Sequence, residues 1–365
     1  MRRTATFLLL LLCGSSTAAV LIRAAQQTGT PRYDIAFTAS RDGRPGIYRM
    51  RGDGTQPSLI VPTAAKTILV PGSWSPDGSK IAHLAYGPAD GELLKKYPVP
   101  MSFPLYVVNV DGTGNERLLD IPVEPFLAWS PDSTRLAFSS GFEDPRLGDP
   151  RILKGLEAGS DAVYVVDVRT RRVTRLTPLG QNHFVSWSPD GRRIVYSGTE
   201  PGSTKGDIYV VDAEGGTPRR IVATPTVNVQ PAWSPRGDLI AFVAAPRGPD
   251  SPNSGVFVIS PDGSAPRRIY SGLAQRVSWS PDGRSLLVAF NPSRIVDVTT
   301  GATSELGDGM MDATFTPDGR GVIYRTSAAN VGGIYAVDVN GTNRRKLIAN
   351  PDSPSSFTVS PFLRR

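Results

Sequence analysis

Side chains able to do acid–base, nucleophilic or metal chemistry are few and scattered in this chain. It has two histidines, His83 and His183, and one cysteine, Cys13. A neutral imidazole can take a proton or bind a metal near neutral pH, so each histidine is a candidate base or ligand. Cys13 sits in an apolar N-terminal run, and the chain beyond it has no thiol for catalysis or disulfides. There is no G-x-S-x-G nucleophile elbow, H-E-x-x-H pair, P-loop or EF-hand spacing. A catalytic carboxylate pair or a bound Ca2+ would have to be assembled from distant parts of the chain.

The elements that could assemble such groups are repeats. Residues 185–222 (VSWSPDGRRIVYSGTEPGSTKGDIYVVDAEGGTPRRIV) read as four strands: Val185–Ser188, Arg193–Ser197, Asp207–Asp212 and Arg219–Val222. A small antiparallel sheet cannot bury both faces alone, so it must stack on copies of itself. Copies begin at Trp74, Trp129, Trp187, Trp233, Trp279 and Phe315, at steps of 55, 58, 46, 46 and 36 residues. All five tryptophans fall at this one position. Their neighbours are small (Ser73 and Ser75, Ala128 and Ser130), so a large group on one sheet meets a small one on the next. Ile35–Val61 matches the second to fourth strands and lacks a first, whereas Phe357–Pro361 reads as a lone first strand.

Pairing those two ends closes a ring. The expected fold is an all-β propeller of seven four-stranded antiparallel blades, forming one domain over residues 34–365. Six blades with a terminal piece outside the ring is the alternative. Arg219-Arg220, Arg267-Arg268 and Arg344-Arg345-Lys346 start fourth strands, where charge blocks edge-to-edge pairing.

The pattern W-S-P-D-G, strand, turn, I-Y-x-x-D, D-G resembles the TolB-type propeller repeat. The propellers of the prolyl oligopeptidase and dipeptidyl peptidase class share it. Ile35–Val61 (IAFTASRDGRPGIYRMRGDGTQPSLIV) carries the same signature, and the resemblance covers about residues 34–361. It implies the fold more than an activity. TolB proper has an α/β domain before its propeller, where this chain has residues 26–33, so a Tol–Pal role is not expected. The α/β-hydrolase domain of the peptidases is not expected either. Propeller lyases acting on oligogalacturonate use a histidine-rich metal site, which two histidines do not supply. No metal or other cofactor is expected.

Arg2 and Arg3 precede an uncharged stretch from Thr4 to Ile22, followed by Arg23-Ala24-Ala25. Residues 1–25 read as a signal peptide or an N-terminal membrane anchor, and 26–33 as a short linker. Either reading exports the propeller, to the periplasm or the cell exterior. Net charge is +7 and falls to +4 without Arg2, Arg3 and Arg23, which argues against nucleic acid as a partner. Contact with a membrane is expected only through the uncleaved leader, and the propeller is expected to be a monomer.

Loops between second and third strands share a face with the links between blades. Two are long, Tyr86–Pro104 and Gly141–Asp161, and offer Lys95, Lys96, Tyr97, Phe103, Arg146, Arg151 and Lys154. The links place Glu124, His183, Gln230, Arg276 and Asp312 around the channel mouth. The expected function is non-enzymatic binding of an envelope protein or glycan through this face. The alternative is a hydrolase or lyase using carboxylates at the mouth, which requires a convergent acid–base pair near Glu124, Asp312 and His183.

Overall fold

The structure is a computed structural model. It describes residues 33–63, 67–87, 103–142, 161–178, 180–199, 206–223, 226–245, 254–326, 333–349 and 357–360. All of them lie in the compact unit Pro31–Arg365. The described regular elements are strands, arranged as seven four-stranded antiparallel sheets in a ring. The innermost strands of the second to seventh blades are Ile68–Trp74, Ala128–Trp129, His183–Trp187, Val227–Trp233, Arg276–Trp279 and Met311–Phe315. The first blade takes its inner strand from the other end of the chain. Phe357–Val359 pairs with Asp34–Arg41, and the Asp34 N–H donates to Ser360 Oγ at 2.9 Å. The ring is therefore closed as the sequence predicts.

Each blade buries both faces on its neighbours. One apolar cluster joins the first and second blades through Ile47, Ile60, Trp74 and Ile81. Another joins the seventh to the first through Ile334, Leu347, Phe37 and Met50. The third and fourth meet through Val163, Leu176, Trp187 and Ile194. Burial of these faces is the main stabilising term, and it exists only in the stacked ring.

The tryptophans also stitch the seams. The indole N–H of Trp129 donates to Ser73 O at 3.0 Å, that of Trp187 to Ala128 O at 2.9 Å, and that of Trp279 to Ala232 O at 2.9 Å. Each acceptor is the carbonyl just before the aromatic of the preceding blade. A small residue there leaves room for the indole. Arg135 and Arg193 then cover Trp187 and Trp233, each guanidinium carbon 4.9 Å from the ring centroid.

The turn after each aromatic is closed by its own side chains. Ser75 donates to Asp77 at 2.6 Å, Ser188 to Asp190 at 2.5 Å and Ser280 to Asp282 at 2.6 Å. The following Gly191 has φ of 68°, a left-handed conformation that favours glycine. The fifth blade has Arg236 in place of the aspartate, and there Ser234 reaches Asp238 instead, at 2.7 Å. The arginine pairs on the outer strands do more than charge an edge. Arg219 donates to Pro261 O and Asp262 O of the next blade, and Arg267 to Val298 O.

Replacing Trp187 tests this packing. Trp187→Ala is expected to cost about 3–5 kcal/mol through the cavity it leaves. Trp187→Phe keeps most of the volume but strands Ala128 O, and is expected to cost about 1–2 kcal/mol. Urea unfolding of both variants measures this, and midpoints equal to the parent's would refute a structural role for the indole.

Candidate functional site

The inner strands turn sharply as they leave the mouth. Those of the second, fourth, fifth and seventh blades each carry a β-bulge, between Pro71/Ser73, His183/Ser186, Val229/Ala232 and Met311/Thr314. Phe184, Gln230 and Asp312 sit in these bulges with φ of 56°, 53° and 51°. A left-handed conformation costs a non-glycine residue about 1–2 kcal/mol, so the surrounding ring must hold it. Bulges of this kind re-aim side chains at the rims of sheets.

His183 begins the bulged strand of the fourth blade. Its Nδ1 lies 2.7 Å from Oε2 of Glu124, on the link between the second and third blades. It is also 4.0 Å from Oδ2 of Asp161, which enters the third strand of the third blade. The three donor atoms lie within 4.8 Å of one another. Their side chains are 29%, 19% and 10% exposed for His183, Glu124 and Asp161, so the cluster is sheltered but reachable.

Main-chain bonds fix all three residues. The Glu124 N–H donates to Ser139 O at 2.9 Å. Asp161 and Gly180 exchange both backbone hydrogen bonds, and buried Asn182 donates to Asp161 O at 2.8 Å. His183 O accepts from Ser197 Oγ at 3.1 Å. Beside the cluster Phe126 and Phe184, both half-buried, pack with ring centroids 4.3 Å apart.

The electrostatics follow from burial and crowding. Burial and the neighbouring Glu124 charge push the Asp161 carboxyl up to about 6, against a smaller opposing effect of His183. For His183, burial works against the charged form, but the bond to Glu124 and the charges of both carboxylates outweigh it and raise its pKa. Burial and the neighbouring charge thus work against ionisation of Asp161, while the two acidic neighbours favour a charged His183.

The residues that the sequence singles out divide into three groups. Glu124 and His183 converge. Asp312 does not join them, because Arg325 of its own blade holds it at 2.9 Å. Gln230 belongs to the fifth blade, where its buried Oε1 has no partner among the described residues, and Arg276 is exposed on the sixth. Lys95, Lys96, Tyr97, Arg146, Arg151 and Lys154 lie outside the described residues. Phe103 pairs with Val123, the residue before Glu124, so both long insertions return to the sheets at this seam. Asp161 was not singled out. Its only sequence signal is a carboxylate at the end of an insertion, where the third strand begins.

His83 is not part of the site. It is 1% exposed, stacks on Tyr106 at 5.4 Å and meets Asn115 Oδ1 at 2.7 Å. Phe37, Phe138, Tyr196, Phe242 and Tyr324 hold the equivalent position in other blades, so His83 replaces a packing aromatic, and burial holds its pKa below the ordinary value. A cleft of about 550 Å³ opens at the turns on the opposite face, lined by Lys80, Asn109, Glu116 and Asp167. Arg171 already neutralises Glu116 there at 2.6 Å, and Thr170 caps Asp167, so the chemistry lies with the His183 cluster.

Residues 98–363 match the family model described as the TolB beta propeller domain. The Tol-Pal system protein TolB of Francisella tularensis subsp. mediasiatica (strain FSC147) is 28% identical over 187 residues, 48% of this chain and 42% of its own length. The chain thus spans less than half of that relative. Among solved structures, oligogalacturonate lyase in complex with manganese superposes with a TM-score of 0.60 at 14% identity, over 89% of this chain and 86% of the other. TolB from Acinetobacter baumannii gives 0.55 at 18%, over 92% and 68%. At these identities the structural likeness is one of fold.

The raised Asp161 pKa has a definite sign for stability. Its native value of about 6 lies above the unfolded value of 3.8, so the native state holds the proton more tightly. This contribution to stability is present below the unfolded value and is lost as pH rises through the native value. Asp161→Asn keeps the shape and removes the charge. It is therefore expected to raise the melting temperature at pH 7.5 and to leave it nearly unchanged below about pH 4. Thermal unfolding across that range measures the difference, and a variant less stable than the parent at pH 7.5 would show that the carboxylate supports the fold.

Proposed function

The chain belongs to the TolB beta propeller domain family, and on that premise we propose that it is an exported, non-enzymatic binding protein that holds an envelope protein or glycan at the mouth of its ring. One observation carries this reading: both long insertions return to a single seam, Phe103 beside Glu124 and Asp161 against His183. Variable loops anchored on a rigid scaffold are where binding surfaces are built. The seam offers Phe126 and Phe184 as an apolar wall, next to two carboxyl groups and an imidazole. That combination suits a partner presenting hydrogen-bond donors beside an apolar or sugar-ring face. By sequence, the insertions add Lys95, Lys96, Tyr97, Arg146, Arg151 and Lys154. Export rests on the leader-like residues 1–25, and a relative named as a Tol-Pal system protein supports a part in a multi-protein system.

A hydrolase or lyase is the second reading. It is favoured by Asp161, whose carboxyl titrates near 6 beside an imidazole, a range suited to general acid–base work. Against it, the Glu124 carboxylate already occupies Nδ1 of the imidazole.

The experiment compares the chain from Gln26 onward with a Phe126→Ala, Phe184→Ala double variant, both immobilised and exposed to envelope proteins and glycan fragments. The parent is expected to retain a defined partner, and the double variant to bind it at least about tenfold more weakly. Equal retention by two folded proteins would remove the mouth as the binding face. Cleavage of a retained glycan that Asp161→Asn abolishes would establish the second reading instead.

A further inference from the structure

We propose that Glu124, Asp161 and His183 form a binding site for one divalent first-row transition-metal ion, of the zinc or manganese class. The inference goes beyond the binding reading and does not depend on it. Three observations support it. First, the three donor atoms already lie within 4.8 Å of one another, with Nδ1 of His183 2.7 Å and 4.0 Å from the two carboxylate oxygens. An ion that holds its ligands at about 2.0–2.2 Å sets neighbouring donors roughly 3 Å apart, so small side-chain rotations admit it. Second, the three ligands come from separate elements whose backbones are locked by Ser139, by Gly180 with Asn182, and by Ser197. A preorganised set has little ordering entropy left to lose on binding.

The third observation is independent of the cluster. Ser139 is fully buried, yet its Oγ finds no partner among the described residues. Its carbonyl accepts the Glu124 N–H, which places it directly beside that ligand. Its counterparts in the fourth and seventh blades are Ser197, which reaches His183 O, and Arg325, which reaches Asp312. In those two blades the side chain at this position reaches the entry of the inner strand. By that correspondence the Ser139 hydroxyl is assigned the supporting role that outer groups play in metal sites, orienting a ligand or a water of the ion.

The donor set selects the ion. One imidazole nitrogen and two carboxylates, without thiolate, suit zinc, manganese, iron or cobalt better than soft Cu(I) or an all-oxygen Ca2+ shell. With a neutral imidazole the two carboxylates balance a dication. Three protein ligands leave at least one coordination position open, as in zinc sites that take water or a substrate group.

The test uses tag-free chain from Gln26 onward, stripped with chelator and titrated calorimetrically with Zn2+ and with Mn2+ at pH 7.5. The ring closes within residues 34–360, so this chain contains the whole fold. One ion per chain is expected, with zinc tighter than manganese by the usual affinity order. His183→Ala, Glu124→Gln and Asp161→Asn are each expected to weaken binding at least about tenfold, and Ser139→Ala by less. Cobalt gives a second readout, a visible absorption band that His183→Ala abolishes. Urea unfolding of each variant guards against misfolding, because loss of metal binding counts only in a protein that unfolds at the parent's midpoint or above it. Absence of saturable binding by the folded parent overturns the site. Binding that survives both His183→Ala and Asp161→Asn overturns it equally.

Discussion

A four-stranded sheet with two apolar faces has nowhere to hide them except against other sheets. That constraint organises the whole molecule. Every large apolar cluster spans a seam between neighbouring blades, and none belongs to one blade alone. An open stack of seven would leave two faces wet, so the chain lends its last strand, Phe357–Val359, to its first sheet. The indoles that reach back to the preceding blade then set the spacing of the ring. Cys13 is the single cysteine and lies outside the ring, so closure and stacking hold the blades together without disulfides.

The fold was legible because its repeat places chemically distinct residues at fixed offsets. A tryptophan, a small neighbour, a proline and an Asp-Gly turn identify each blade even as the steps vary from 58 to 36 residues. Departures were also interpretable. Arg236 breaks the pattern, and Asp238 two residues on takes over the hydrogen bond that the turn needs. What sequence could not convey was the second layer of use. The outer-strand arginines read as edge protection, whereas Arg219 and Arg267 also tie one blade to the turn of the next.

The site was only half legible, for a geometric reason. Counting three residues back from the aromatics marks Phe184, Gln230 and Asp312 among six positions, and in those three blades the offset falls in the bulge. The convergent groups lie just beyond it, four residues before Trp187 for His183 and five before Trp129 for Glu124. Asp161 follows no such rule. It arrives at the end of an insertion and is set in place by Gly180 and Asn182, a partnership of main chain and side chain that no periodicity announces. Asp312 obeyed the rule and still missed the cluster, because Arg325 occupies a position filled by serine in the third and fourth blades.

Within the seam, Asp161 completes the set of three donor atoms that lie within 4.8 Å of one another. The residue is positioned through its backbone, and the contact of its carboxylate among the described residues is His183 at 4.0 Å. An asparagine would satisfy the same backbone. The carboxylate is instead kept in a partly buried place beside Glu124, where ionisation is unfavourable enough to push it up to about 6. A carboxyl group with a perturbed environment, converging with two other donors, is a common feature of functional sites. A dication or a hydrogen-bond-donating partner relieves that cost in the same way, by placing positive charge or donors against the two carboxyl groups. The ring supplies the rigidity that lets the seam hold its unfavourable charge until such a ligand arrives.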